Sequence, residues 1–67
     1  MEKRDLLIIK YLSEGYKVTE VSEQLSTHHS ITISESLIEK RLSALRKQYQ
    51  AKTLFQLGIL LTKENII

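Results

Sequence analysis

An amphipathic run in the middle of the chain most constrains the fold. Four apolar residues recur there at intervals of four, three and four, which is the spacing of one buried helical stripe. They are Ile38, Leu42, Leu45 and Tyr49. Ser34 stands before this run, and its hydroxyl can accept a hydrogen bond from an unpaired amide of the first turn. The pattern predicts a helix from Glu35 to about Gln48 with one side packed into a core.

The length and composition favour one small helical domain over residues 1–67. A chain of 67 residues buries about 60% of its unfolded surface, which leaves little room for a deep cleft. It has no proline, two glycines and 42% hydrophobic residues, a composition that favours an all-α domain over a β-sandwich or a disordered segment. It has no cysteine, so disulfides and thiolate metal sites are excluded. We therefore expect no cofactor and no metal ion.

No segment indicates a membrane or a secretory route. Apolar stretches stay well short of the roughly 18 residues that a spanning helix needs. The charged start, residues 1–5, is not followed by the apolar region and cleavage site of a signal peptide. We expect an unprocessed soluble protein of a reducing cytoplasm.

Three further helices follow from the same periodicity. The first runs from Lys3 to Glu14, with Gly15 placed to end it in a left-handed conformation. Its inward residues are Leu6, Ile9 and Leu12, with Ile8 and Tyr11 beside them. The second is a short helix from Thr19 to Leu25 that turns Val18, Val21 and Leu25 inward. The fourth runs from about Leu54 to Lys63.

The stretch from Ser26 to Thr32 breaks the helical period. It is polar and β-branched, and no second strand exists for it to pair with, so we expect an irregular loop. His28 and His29 lie within it. Two adjacent histidines without a third ligand are expected to be solvated rather than to bind metal or act as a pH switch.

The fourth helix is apolar on nearly every side, and one small core cannot cover all of it. An inward side of Phe55, Ile59 and Leu60 would leave other residues for a partner. These are Leu54, Leu57 and Leu61. The partner is a second copy of the domain or an upstream domain of a longer protein.

Positive charge is concentrated on the third helix and the turn after it. The whole chain carries a net charge of only +2. Between Glu39 and Lys52, however, five cations stand against one carboxylate. The cations are Lys40, Arg41, Arg46, Lys47 and Lys52. This distribution indicates a polyanionic partner such as nucleic acid, or the solvated face of an ordinary amphipathic helix.

Several short motifs follow one another in a recognisable order. They are Arg4-Asp5, Ile8-Ile9 with Tyr11-Leu12, Ser13-Glu14-Gly15, Glu20-Val21-Ser22 with Leu25, Ile33-Ser34, Ile38, Leu45, Ala51-Lys52-Thr53, Gln56-Leu57 and Asn65-Ile66-Ile67. Together they cover almost the whole chain. Their order and spacing resemble the LuxR/GerE-type helix-turn-helix domain, the DNA-binding effector domain of many bacterial response regulators and quorum regulators.

Among the places where the chain departs from that family, two concern the second helix and the turn that follows it. Seven residues separate Leu25 from Ile33, where the family usually has one. A surface loop tolerates such an insertion, but the extended turn can shift the third helix relative to the second. Lys17 also stands where the family commonly has a serine that caps the second helix.

The resemblance implies a four-helix domain that binds double-stranded DNA for transcriptional regulation in the bacterial cytoplasm, associated with the nucleoid. Its recognition helix, residues 34–49 approximately, would enter the major groove. The implied base contacts are Glu39, Lys40 and Ser43. The implied phosphate contacts are Lys17, Arg41, Arg46, Lys47 and Lys52. A homodimer through Leu54, Leu57 and Leu61 would place two recognition helices on paired half-sites.

Some interpretations remain open from the sequence. Glu39 either reads a cytosine or moderates the charge of neighbouring cations. An upstream receiver or ligand-binding domain, or RNA polymerase, is a further expected partner. A protein-interaction module that keeps the fold without binding DNA is the second hypothesis. An enzyme is not expected, because no catalytic set of residues and no phosphate-binding glycine loop is present.

Overall fold

The computed structural model describes all 67 residues and contains four α-helices and no strand. The helices are α1 Lys3–Ser13, α2 Val18–His29, α3 Glu35–Gln48 and α4 Leu54–Lys63. The predicted all-α class and the order of the helices are confirmed. No helix is long and apolar enough to cross a membrane. Gly15 has a φ of 99° directly after α1, as expected for a residue that ends a helix in the left-handed region.

The end of α2 was predicted wrongly. The helix continues past Leu25 to His29, so most of the expected long turn is helical and the connection to α3 is short. The cause is tertiary: the His29 ring shares a hydrogen bond of 3.0 Å with the Tyr11 hydroxyl, and the two rings pack edge to face. This contact fixes the last turn of α2 against α1. His29 is therefore half-buried, contrary to expectation, whereas His28 is exposed.

Ten apolar side chains form one buried cluster to which all four helices contribute. They are Ile8, Ile9, Val21, Leu25, Ile33, Ile38, Leu42, Leu45, Leu57 and Leu61. The predicted α3 stripe is confirmed, with Tyr49 half-buried at its edge. Tyr11 is likewise half-buried against the cluster. Leu6 and Leu12, which were expected inside, are only half-buried.

The inward side of α4 differs from the predicted one at four of the six residues assigned to a side. Leu57 and Leu61 are 0% exposed and belong to the core, so they are not available to a partner. Phe55 is 81% exposed and Ile59 is 42% exposed. Because α4 is apolar around most of its circumference, its periodicity does not specify a side; the packing of α4 against α3 does.

An ion pair joins the first turn of α1 to the middle of α3. Asp5 is 2% exposed, and its two carboxylate oxygens accept hydrogen bonds from Arg41 Nε at 3.1 Å and Arg41 Nη2 at 2.7 Å. These hydrogen bonds, and then the carboxylate charge, raise the pKa of the Arg41 guanidinium above its already high ordinary value. The Arg41 guanidinium therefore carries its positive charge near neutral pH. The geometry of the pair is bidentate, which fixes direction as well as distance.

Paired substitutions in α4 test which side is buried. We expect Leu57→Ala to lower the free energy of unfolding by about 2–5 kcal/mol, because it leaves a cavity in the core. Phe55→Ala removes a larger side chain but is expected to change it by less than about 0.5 kcal/mol in the monomer, because that ring lies in solvent. Urea denaturation at low protein concentration measures both. Equal losses of unfolding free energy in the two variants would contradict the burial of Leu57 and the exposure of Phe55.

Candidate nucleic-acid interface

The start of α3 is fixed by a side-chain cap. Ser34 Oγ accepts a hydrogen bond from the backbone N–H of Leu37 at 3.2 Å, which confirms the predicted cap. Glu35 lies in the first turn, where a negative charge is favoured by the helix dipole. Ile33, the residue before the cap, is buried in the core cluster. The first turn of α3 is thus anchored on one side and open to solvent on the other.

A row of polar and small side chains runs along the outer face of α3. The residues that line it are Ser36, Glu39, Lys40, Ser43, Ala44 and Lys47. The structure therefore brings together the three predicted base contacts and one predicted phosphate contact. All are exposed except Ser43, which is half-buried. We call this row the α3 outer face.

Sequence reasoning missed two members of the α3 outer face. Ser36 lies four residues before Lys40 and Ala44 lies four residues after it, so the helical repeat alone places them on the same side. Both side chains are short. A surface built on short side chains lets a helix backbone approach its partner closely, while the neighbouring lysines reach further outward.

Arg41 does not belong to the α3 outer face. Its guanidinium is bound to buried Asp5, so the structure does not present it as a free phosphate contact. The sequence contained a signal for this arrangement. Arg41 lies three residues after Ile38, and Asp5 lies three before Ile8, so each charge falls on an apolar stripe. A charge that is buried without a partner costs free energy. Two opposite charges that both lie on inward stripes are therefore expected to pair with each other.

The remaining predicted phosphate contacts occupy the ends of neighbouring elements. Arg46 is half-buried, and its Nη1 donates to the carbonyl oxygen of Lys52 at 3.4 Å, which links α3 to the turn before α4. Lys52 has an exposed side chain, and its backbone N–H donates to Gln56 Oε1 at 2.7 Å. Both cations lie beyond the α3 outer face rather than within it.

Lys17 precedes α2 and is exposed. Its ammonium cannot accept a hydrogen bond, so its side chain does not cap α2 in the way that a serine would. Glu20 provides the cap instead, since Glu20 Oε1 accepts from the Lys17 backbone N–H at 2.9 Å. Lys17 is thus at the start of a helix but is separate from the α3 outer face.

The unpaired positive charge between Glu39 and Lys52 is lower than the sequence indicates. Because Asp5 pairs with Arg41, four cations between Glu39 and Lys52 remain without an acidic partner. Glu39 itself makes no ion pair, since the bond between Asp5 and Arg41 is the one salt bridge of the structure. The α3 outer face therefore presents both an unpaired carboxylate and unpaired ammonium groups.

A second surface lies between α1 and α4, and we call it the α1–α4 groove. It has a volume of about 660 Å³. Its lining residues are Ile9, Leu12, Ser13, Leu54, Phe55, Gly58, Ile59, Thr62, Lys63 and Ile67. The two hydroxyls are already used within their own helices, because Ser13 Oγ donates to Lys10 O at 2.7 Å and Thr62 Oγ1 donates to Gly58 O at 2.9 Å. The groove is consequently apolar, with one ammonium, that of Lys63, among its lining groups.

Comparisons with known protein families, with curated proteins and with solved structures find no match for this chain. The resemblance to LuxR/GerE-type domains accordingly rests on the short motifs quoted above. What the structure adds is the four-helix arrangement and the position of each side chain on it.

Proposed function

We propose that this domain binds double-stranded DNA sequence-selectively as a bacterial transcriptional regulator, with α3 in the major groove. It acts by binding rather than by chemistry. The observation that carries the proposal is the α3 outer face: one side of the helix is held in the core while the other presents Lys40, Ser43 and Lys47 together. Such a division between a buried stripe and an outward hydrogen-bonding row is what a helix in a groove requires.

The dimensions of the α3 outer face fit this role. Ser36 and Lys47 are eleven residues apart, which corresponds to about 16 Å along the helix axis. A B-DNA major groove is about 12 Å wide, which accommodates a helix that is about 10–12 Å across with its side chains. Lys40 can donate to guanine, Ser43 can donate or accept, and Glu39 can accept from cytosine. Lys47, Arg46 and Lys52 hold phosphates at the end of α3 and beyond it.

Leu37 supports the same role from the first turn of α3. It is 37% exposed and is adjacent to Ser36 in the sequence. An exposed apolar side chain at a reading surface can contact the methyl group of thymine. The mixture of one apolar, one acidic and one basic group near the start of α3 favours selectivity over simple attraction to charge.

We further propose that the domain forms a homodimer through the α1–α4 groove. Of the three predicted dimer contacts, exposed Leu54 stays in this proposal. Leu57 and Leu61 are buried in the core, so we assign the dimer contact to the exposed Phe55 and Ile59 in their place. Because the hydroxyls of the groove are satisfied internally, it requires no polar partner and is complementary to another apolar surface of the same kind. Two copies related by a two-fold axis would present two α3 helices to paired half-sites.

The same groove favours the second candidate function, a protein-interaction module without DNA binding. In that case an upstream domain or another protein covers Phe55 and Ile59, and the α3 outer face is merely solvated. The two candidates differ in their response to salt. Contact with phosphates releases counterions and weakens steeply as salt rises, whereas an apolar interface does not.

The double substitution Lys40→Ala plus Lys47→Ala tests DNA binding. We expect about a tenfold loss of affinity for duplex DNA, and a decrease of about 1 to 2 in the slope of log K against log salt. Fluorescence anisotropy over a range of salt concentrations measures both, and circular dichroism shows that the helices persist.

The control carries the same change of charge on α1. Lys3→Ala plus Lys10→Ala removes two exposed cations that line neither the α3 outer face nor the α1–α4 groove. We expect this control to show the same slope of log K against log salt as the unsubstituted domain. If the original chain binds no duplex, or if both double variants lose the same affinity, DNA reading by α3 is refuted.

The dimer is tested by Phe55→Ser plus Ile59→Ser. We expect this change to raise the dimer dissociation constant more than about tenfold, since exposed aromatic and aliphatic anchors contribute most of the energy of small interfaces. Sedimentation equilibrium gives the constant. Leu37→Ser is the control on α3, because Leu37 at 37% exposure is comparable to Ile59 at 42%. A monomeric original chain, or an equal effect of the control, would exclude the α1–α4 dimer.

A further inference from the structure

The segment that leads into α3 is held by one polar contact from the body of α2. Ser22 Oγ donates to the carbonyl oxygen of Ile33 at 2.6 Å. Ser22 is half-buried on α2, four residues after Val18 and three before Leu25, so it lies on the inward side of that helix. The contact therefore crosses from a helix interior to the residue immediately before the α3 cap.

The position of that carbonyl matters for α3. The Ile33 carbonyl and the Ser34 N–H belong to one planar peptide unit, so fixing the carbonyl fixes the orientation of the residue that caps the helix. Ser34 then binds the Leu37 amide and begins α3. The contact from Ser22 thus holds the peptide from which α3 starts.

Other contacts hold this loop but do not control its direction. The Ile31 N–H donates to the Leu25 carbonyl at 3.0 Å, which fixes the start of the loop beside α2. Ile33 is 5% exposed, and its apolar side chain holds the loop against the core. Apolar burial is not directional, so this contact does not fix the orientation of the Ile33–Ser34 peptide. A hydrogen bond, by contrast, is directional. Ser22 supplies such a bond at the entry to α3, whereas the Asp5–Arg41 pair orients the middle of the helix.

We propose that Ser22 is a positioning residue for α3: its hydrogen bond to the Ile33 carbonyl sets the angle at which the α3 outer face is presented to DNA. The inference rests on the proposed function. Ser22 itself is half-buried and does not touch the nucleic acid. It acts through the Ile33–Ser34 peptide, and its effect is on selectivity, because a helix that is turned in the groove misaligns several base contacts at once.

The test compares Ser22→Ala with Ser26→Ala, the same replacement at an exposed position one turn further along α2. Residual dipolar couplings of backbone amides give the orientation of α3 relative to α2 without DNA. Binding of the best duplex enriched from a random pool, relative to a random duplex, gives the selectivity ratio. For Ser22→Ala we expect a changed α2–α3 orientation and about a tenfold fall in that ratio. Ser26→Ala is expected to change neither.

The conservative variant separates positioning from general support of the fold. Ser22→Thr keeps the hydroxyl and is expected to restore both the orientation and the selectivity. If Ser22→Ala proves too unstable to measure, Ser22→Cys keeps the volume with only a weak donor and replaces it in the comparison. If α3 keeps its orientation relative to α2 in Ser22→Ala, or in Ser22→Cys where that variant is used, the proposal is overturned even if the melting temperature falls. If the original chain binds no DNA, the proposed function fails, while the dipolar couplings still decide whether Ser22 directs α3.

Discussion

The burial of one side of α3 is the constraint on which the rest of this domain depends. Ile38, Leu42 and Leu45 pack among the ten apolar side chains of the core, with α2 on one flank and α4 on the other. A chain of this length has no second core to provide stability. Once the stripe is buried, Lys40, Ser43 and Lys47 must face outward, because helical spacing places them on the other side. The α3 outer face is thus a consequence of the packing.

The ion pair between Asp5 and Arg41 adds direction to this apolar packing. Apolar contacts tolerate small rotations of a helix, whereas a bidentate pair with a buried carboxylate does not. A buried charge that loses its partner is strongly destabilising, so neither residue is free to serve another ligand. The number of cations on a helix therefore overstates the number available to DNA. Here the apparent basic cluster loses Arg41 to its ion pair with buried Asp5.

The sequence was informative where one side of a helix is apolar and the other is not. The bounds of α3, its Ser34 cap and its buried stripe follow from spacing alone. Spacing was uninformative for α4, which is apolar all round, so the exposed Phe55 was placed inside and the buried Leu57 outside. It also failed for the last turn of α2, where the contact between Tyr11 and His29 stabilises a polar stretch as helix. Both failures concern contacts between different helices, which the periodicity of a single helix does not contain.

The two surfaces of the domain have different chemistry and so favour different partners. The α3 outer face is polar, partly cationic and built on short side chains, whereas the α1–α4 groove is apolar. A nucleic acid suits the first and another protein surface suits the second. The connection between α2 and α3 is short, so in our proposal the hydrogen bond from Ser22 orients the start of α3, while the Asp5–Arg41 pair orients its middle.

The most direct test of the account is a nuclear magnetic resonance titration of the isotope-labelled domain with duplex DNA. If α3 reads the major groove, amide shifts on binding concentrate at Ser36, Lys40, Ser43 and Lys47 and are small around the α1–α4 groove. Shifts confined to Phe55 and Ile59, or no shifts at low salt, would contradict the account.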